Sequence, residues 1–185
     1  MTAQEIKNLT ETASSLFRDH TSIPTSTLFL YGEISDGMAD QLAKSPHLLS
    51  QSKDEITIYL NSGGGSKTAA LGIYDLVRAT RNWVRVIGYG SVCSAAVVVL
   101  QAGDRRLLAP NTELMIHPGH ASMNDETEEN LARFAMQAVR YRNRYYRILA
   151  DKMGLSLREM LQAYDKDVWL GARQAIRLGL ADGIL

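Results

Sequence analysis

Cysteine occurs once in this 185-residue chain, at Cys93. A single thiol excludes an internal disulfide framework and an all-cysteine zinc site, and it fits a reducing compartment. A charge surplus is also missing. Lys plus Arg number 20 and Asp plus Glu number 20, so the formal net charge is zero. With a pI near 6.9, no overall basic field points to nucleic acid or anionic lipid. Long apolar runs are absent too. The longest, Ala95 to Leu100, falls far short of the about 20 residues a membrane-crossing helix needs. The opening stretch MTAQEIKNLTETASS has no basic segment followed by an apolar one, so no secretory leader is expected.

What is present is an ordinary globular composition, 45% hydrophobic and 22% charged. Low hydrophobicity with high net charge, the mark of disorder, is not found. The length fits one domain, and a chain of this size buries roughly 70% of its unfolded surface without covalent staples. The expectation is a single cytoplasmic domain over residues 1–185.

Hydrophobic spacing organises the chain. Ile6, Leu9, Ala13, Leu16 and Phe17 recur at helical intervals within Ala3 to Phe17. A polar connection with Pro24 leads to a strand at Leu28 to Tyr31. Ser35 or Asp36 then caps a helix running to about Leu49. Ile56 to Leu60 alternates as a strand, and Ser66 caps a helix through Arg81. Trp83 to Ile87 is a strand, Ser94 to Gln101 a small apolar helix, and Arg105 to Ala109 and Glu113 to His117 two further strands. Asn124 caps a long helix, Asp125 to Met153, stopped by Gly154. Ser156 and Glu159 have capping-box spacing and open a helix that ends before Asp167. A last helix, Gly171 to Leu178, stops at Gly179. Alternating strands and helices over residues 28–117 predict right-handed βαβ units in an α/β domain. The C-terminal third is mainly helical.

Two strand-to-helix junctions carry candidate chemistry. In Asn61-Ser62-Gly63-Gly64-Gly65-Ser66 the glycines let a ligand approach the backbone, ahead of a helix start that favours anions. Neither established phosphate-loop spacing fits, and a plain tight turn accounts for the motif equally well. In Gly88-Tyr89-Gly90-Ser91-Val92-Cys93-Ser94 small residues crowd a turn able to hold a hydroxyl at its apex. Ser94 reads alternatively as a helix cap. A serine hydroxyl needs a base to become a nucleophile. Of the four histidines, His20 and His47 lie in polar segments, while His117 ends an apolar strand, where an imidazole can face a pocket. His117 with His120 lacks the further ligands of a metal site. A carboxylate that orients the imidazole completes such a system, and Asp165 and Asp167 lie on a loop between the C-terminal helices. Cys93 reads as a small buried thiol. Tyr141, Tyr145 and Tyr146, interleaved with Arg140, Arg142, Arg144 and Arg147, read as an interface or solvated surface rather than an RNA site.

From Leu28 to Leu185 these segments resemble the Clp protease proteolytic subunit, ClpP. The resemblance rests on Gly32-Glu33-Ile34, Ile58-Tyr59-Leu60-Asn61-Ser62 with Gly64-Gly65, Ile73-Tyr74-Asp75, Gly90 four before Ser94, Pro110-Asn111, Met115-Ile116-His117, Asp165-Lys166-Asp167 and Gly179-Leu180-Ala181-Asp182, in that order. It implies a ClpP/crotonase-type α/β fold of repeated β-β-α units with a long handle helix, placed at about 118–153. It also implies a serine endopeptidase with Ser94 as nucleophile, His117 as general base and Asp167 as orienting carboxylate. The Gly64 and Ala95 amides would form the oxyanion hole, and the backbone at Gly65 would pair with an extended substrate. No cofactor or metal is implied. The implied partners are further copies of the chain in a heptameric ring or tetradecamer, polypeptide substrates, and a hexameric AAA+ ATPase that consumes the ATP. A catalytically weak ring subunit and a crotonase-like acyl-CoA enzyme are the alternatives. Gly63 stands where the family carries proline, and Lys166 where it carries arginine. The segment 1–26 does not resemble the family's axial loops.

Overall fold

The computed structural model describes residues 26–49, 55–119 and 127–185. The helix expected over 3–17, the Asn124 cap, His20 and His120 lie outside them. Seven strands form one sheet: β1 (Thr27–Tyr31), β2 (Ile56–Ser62), β3 (Val84–Cys93), β4 (Arg105–Leu108), β5 (Glu113–Ile116), β6 (Val168–Gly171) and β7 (Gly183–Ile184). The order β1-β2-β3-β4-β7 is parallel throughout. β3 forks the sheet. Its first half pairs with β4 from Arg85 to Gly88, and its end pairs with β5 from Ser91 to Cys93. β6 adds antiparallel to β5.

The helices are α1 (Asp36–Ala43), α2 (Pro46–Leu49), α3 (Lys67–Ala79), α4 (Ala95–Gln101), α5 (Glu128–Met153), α6 (Leu157–Ala163) and α7 (Ala172–Arg177). All seven residues of α4 are buried. Its Val97, Val98, Val99 and Leu100 are therefore apolar on every side, and each contributes about 1.5–3 kcal/mol of burial. Gln101 is tolerated there because its side chain donates to the Val97 and Leu180 carbonyls at 3.2 and 3.0 Å and accepts from Arg106. The caps at Ser35 and Ser66, the Ser156–Glu159 capping box and the left-handed Gly154 stop form as their residue types dictate.

Three expectations need correction. The single helix to Leu49 is two, because Pro46 lacks an N–H and restricts the residue before it, so α1 stops at Ala43. The strand expected to end at Ile87 continues to Cys93. Gly88 lets it pass, since a Cβ there would sit 2.8 Å from Leu108 Cδ2. The segment after Asp167 is a strand, β6. Four residues give no readable period, and the ladder with β5 fixes the conformation. Asp167 thus stands at a strand entrance rather than on a free loop.

Candidate active site

Ser94 alone links β3 to α4. Its φ is +53° and its ψ −123°, the one positive φ outside glycine among the described residues. Backbone held there costs on the order of 1–3 kcal/mol and persists only where its surroundings fix it. Here the Ser94 N–H donates to the Met115 carbonyl at 2.7 Å. The Ser94 carbonyl accepts from Val97 N–H and from the Tyr145 hydroxyl, both at 3.0 Å. Burial, with Tyr146 and Cys93 nearby, pushes Tyr145 well above the ordinary phenol range, so it stays a donor. Ser94 occupies the N-cap position of α4, yet its hydroxyl makes no cap bond. Oγ lies instead 2.7 Å from His117 Nε2.

The fork in the sheet brings these two groups together. Cys93 pairs with Met115, so the residues just past the two strand ends, Ser94 and His117, project from the same end of the sheet. His117 is mostly buried, at 16% exposure, and its Nδ1 lies 3.7 Å from Asp167 Oδ1, beyond hydrogen-bond length. The Asp167 side chain is 61% exposed. Ser94 and His117 are therefore in direct contact, while Asp167 stands close without touching.

The glycine loop departs from expectation in one respect. The Gly64 N–H donates to Ser62 Oγ at 3.0 Å, within a buried loop, and so is already engaged there. Gly64 is pressed against the Ser94 turn, since a Cβ on it would sit 2.7 Å from Ser94 Cβ and 3.2 Å from the Ala95 nitrogen. Gly65 is exposed and lines the cavity beside Ser94. Its N–H has no partner among the described residues. Sequence identifies neighbouring glycines, but the direction of each N–H depends on the turn, here set by Ser62.

The cavity measures about 390 Å³ and opens between Gly65, Ser94, His117 and Gly119 on one side and Phe134, Ala138 and Tyr141 of α5 on the other. Lys67, at the start of α3, also lines it. Burial, aided by Arg142, lowers the Lys67 pKa from its ordinary value. Sequence reasoning missed Lys67, and it read the tyrosines of α5 as an interface or solvated surface. Tyr145 and Tyr146 are buried at 3% and 1% exposure, and Tyr141 faces the cavity. Their one legible signal is the four-residue step from Tyr141 to Tyr145, which places them along one helix face. Cys93 is buried and its thiol is pushed up by burial, which suits a packing role.

Chemically, a hydroxyl at a strained strand-to-helix turn, bonded to an imidazole beside a cavity, is an arrangement able to support nucleophilic attack on a carbonyl. The model of the Clp protease family matches residues 3–185, and the chain belongs to that family. It is 36% identical over 163 residues to the ATP-dependent Clp protease proteolytic subunit 4 of Rhodococcus jostii, covering 85% of this chain and 83% of that one. It is 30% identical over 181 residues to subunit 3 of Rhizobium etli, covering 95% and 88%. Among solved structures, the ClpP1 N165D mutant from Listeria monocytogenes matches with a TM-score of 0.77 and 32% identity, over 87% of this chain and 91% of that one. The fold is of the ClpP/crotonase type, and the chain is a relative of proteolytic subunits. The family match reaches back to residue 3, well before the first motif recognised in the sequence. Among the described residues no helix is long and apolar enough to cross a membrane.

Proposed function

We propose that this chain is a serine endopeptidase subunit of a Clp-type assembly that cleaves unfolded polypeptides in the cytoplasm. The 2.7 Å contact between His117 Nε2 and Ser94 Oγ carries the reading. His117 takes the Oγ proton as Ser94 attacks the scissile carbonyl. The oxyanion rests on the Ala95 N–H and, in place of the engaged Gly64 amide, on the Gly65 N–H. His117 then hands its proton to the departing amine. Water, deprotonated by His117, releases the acyl group as a peptide acid and restores the serine.

Asp167 completes the system when it closes on His117 Nδ1 from its present 3.7 Å. Packing between subunits supplies that movement. Supporting assembly into a heptameric ring or stacked pair of rings, Leu131, Met136 and Val139 of α5 are 51%, 61% and 43% exposed, large apolar side chains on its outer part that a neighbouring copy would cover. A separate AAA+ ATPase delivers substrate and consumes the ATP.

Labelling with a fluorophosphonate, wild type against Ser94→Ala, with native mass spectrometry, tests this. Labelling of the wild type only, in a species of seven or fourteen chains, supports the proposal. Labelling that survives Ser94→Ala overturns the choice of nucleophile. An unlabelled intact ring would favour the weak-subunit alternative.

A further inference from the structure

Among the described residues, Lys67 is the one side chain of permanent charge type lining the cavity beside Ser94. It is half-buried, and its Nζ donates to the Pro118 carbonyl at 3.0 Å. That bond uses one of three N–H groups. Among the described residues the ammonium has no carboxylate partner, and the charge nearest in effect is the like charge of Arg142. An ammonium drawn partly out of water without a counter-ion is unfavourable. The fold nevertheless makes room for it. Gly119 holds φ at +74°, and a Cβ there would lie 2.5 Å from Lys67 Nζ, so a side chain at 119 would expel the ammonium. The bond to Pro118, the residue after His117, fixes the charge next to the reacting groups.

From α5, Phe134, Ala138 and Tyr141, with Gln137 among them, give the cavity a mainly apolar wall. A ligand matching these features has a short aliphatic stem ending in a carboxylate. We infer that Lys67 makes the cavity selective for an acidic side chain, glutamate above all, on the acyl side of the cleaved bond. This rests on the protease reading above and adds its substrate class. The glutamate methylenes lie against the α5 wall, and its carboxylate takes the free N–H groups of Lys67. The isosteric glutamine fills the same space but leaves the cation uncompensated, so the two differ in charge pairing alone.

The test uses peptidyl-coumarins ending in Glu, Gln or Leu, so that the leaving group is constant and only the acyl-side residue varies. The assembled wild type should show kcat/KM for Glu roughly tenfold or more above Gln, the scale of a partly desolvated charge pair. Lys67→Met should bring that ratio to unity or below while raising turnover of Leu, and Lys67→Gln, more conservative for folding, should also abolish the preference. Equal wild-type rates for Glu and Gln, or a preference that survives both substitutions, overturn the inference. If no peptide is cleaved, the same peptides are titrated into the Ser94→Ala assembly. Glu-selective binding that requires Lys67 sustains the inference and refutes the protease reading instead, and unselective binding overturns the inference.

Discussion

Replacing Gly64 by alanine should damage both the fold and the site, while the same change one residue earlier should be harmless. At Gly64 the φ is +104°, and an added Cβ would meet Ser94 Cβ at 2.7 Å, the Cys93 carbonyl at 2.8 Å and the Ala95 nitrogen at 3.2 Å. The left-handed backbone costs an alanine about 1–2 kcal/mol. The close contacts are with backbone and with Cβ, which cannot swing away, so relief requires the two strand-to-helix turns to separate, at about 1–3 kcal/mol. A total near 3 kcal/mol lowers the unfolding midpoint of a chain this long by roughly 6–12 °C. Because the turn that moves carries Ser94 and the Ala95 amide, the rate of fluorophosphonate labelling should drop by about 100-fold. Gly63 is the internal control. It lies in open space, with nothing within 4 Å of an added Cβ and no positive φ. Alanine there should leave labelling unchanged and shift stability by less than about 1 kcal/mol, in the stabilising direction. A Gly64→Ala protein that melts and labels like the wild type, or a Gly63→Ala protein equally damaged, refutes this account of the junction.

Ser94→Gly should be inactive yet about 1 kcal/mol more stable than Ser94→Ala, because glycine alone relieves the φ of +53°; equal denaturation midpoints would contradict the strain argument. Tyr145→Phe should cost about 1 kcal/mol in denaturant unfolding, the worth of one hydroxyl bond to a carbonyl that keeps its second donor, Val97 N–H. Asp167→Asn should lower turnover of the assembled enzyme by on the order of 10⁴-fold, yet leave thermal stability within about 0.5 kcal/mol because the side chain is exposed. At Asp182, burial raises the carboxyl pKa, but the Arg106 bonds, including N–H to Oδ2 at 2.7 Å, outweigh it and hold the pKa below its ordinary 3.8. That stabilisation is complete above the unfolded pKa and disappears as pH falls through the lower folded value. Acid unfolding of Asp182→Asn, followed by circular dichroism, should therefore show a smaller loss of stability between about pH 4 and 2 than the wild type.

Much of the scaffold was legible because its signals are local. Caps at Ser35, Ser66 and Ser156 and the Gly154 stop depend on neighbours three or four residues away. Ser94 and His117 were legible as candidates because one opens an apolar run, Ala95 to Leu100, and the other ends one, Leu114 to Ile116. The features that were not legible depend on distant partners. β6 becomes a strand only beside β5, β3 continues past Ile87 because Gly88 slips under Leu108, and the Gly64 N–H is engaged because Ser62 accepts it. Lys67 was passed over for the same reason. Nothing near it in sequence reveals that Pro118 and Gly119 receive its ammonium.

The ladder between β5 and β6 has a consequence for how such a chain can vary by insertion and deletion. Ile116 faces Val168, so the next step along the antiparallel pair sets His117 against Asp167. That alignment is held by Leu114 facing Leu170, at 0% and 7% exposure. A slip of one residue would turn every side chain of β6 to the opposite face, so the buried leucine pins the register. Lose one residue between Asp167 and Leu170, and the anchored ladder would present Lys166 to His117, an ammonium where the carboxylate stood. The hydrophobic pair thus acts as a reading frame for the polar one, and the two residues between Asp167 and Leu170, Val168 and Trp169, tolerate substitution far better than any change in length.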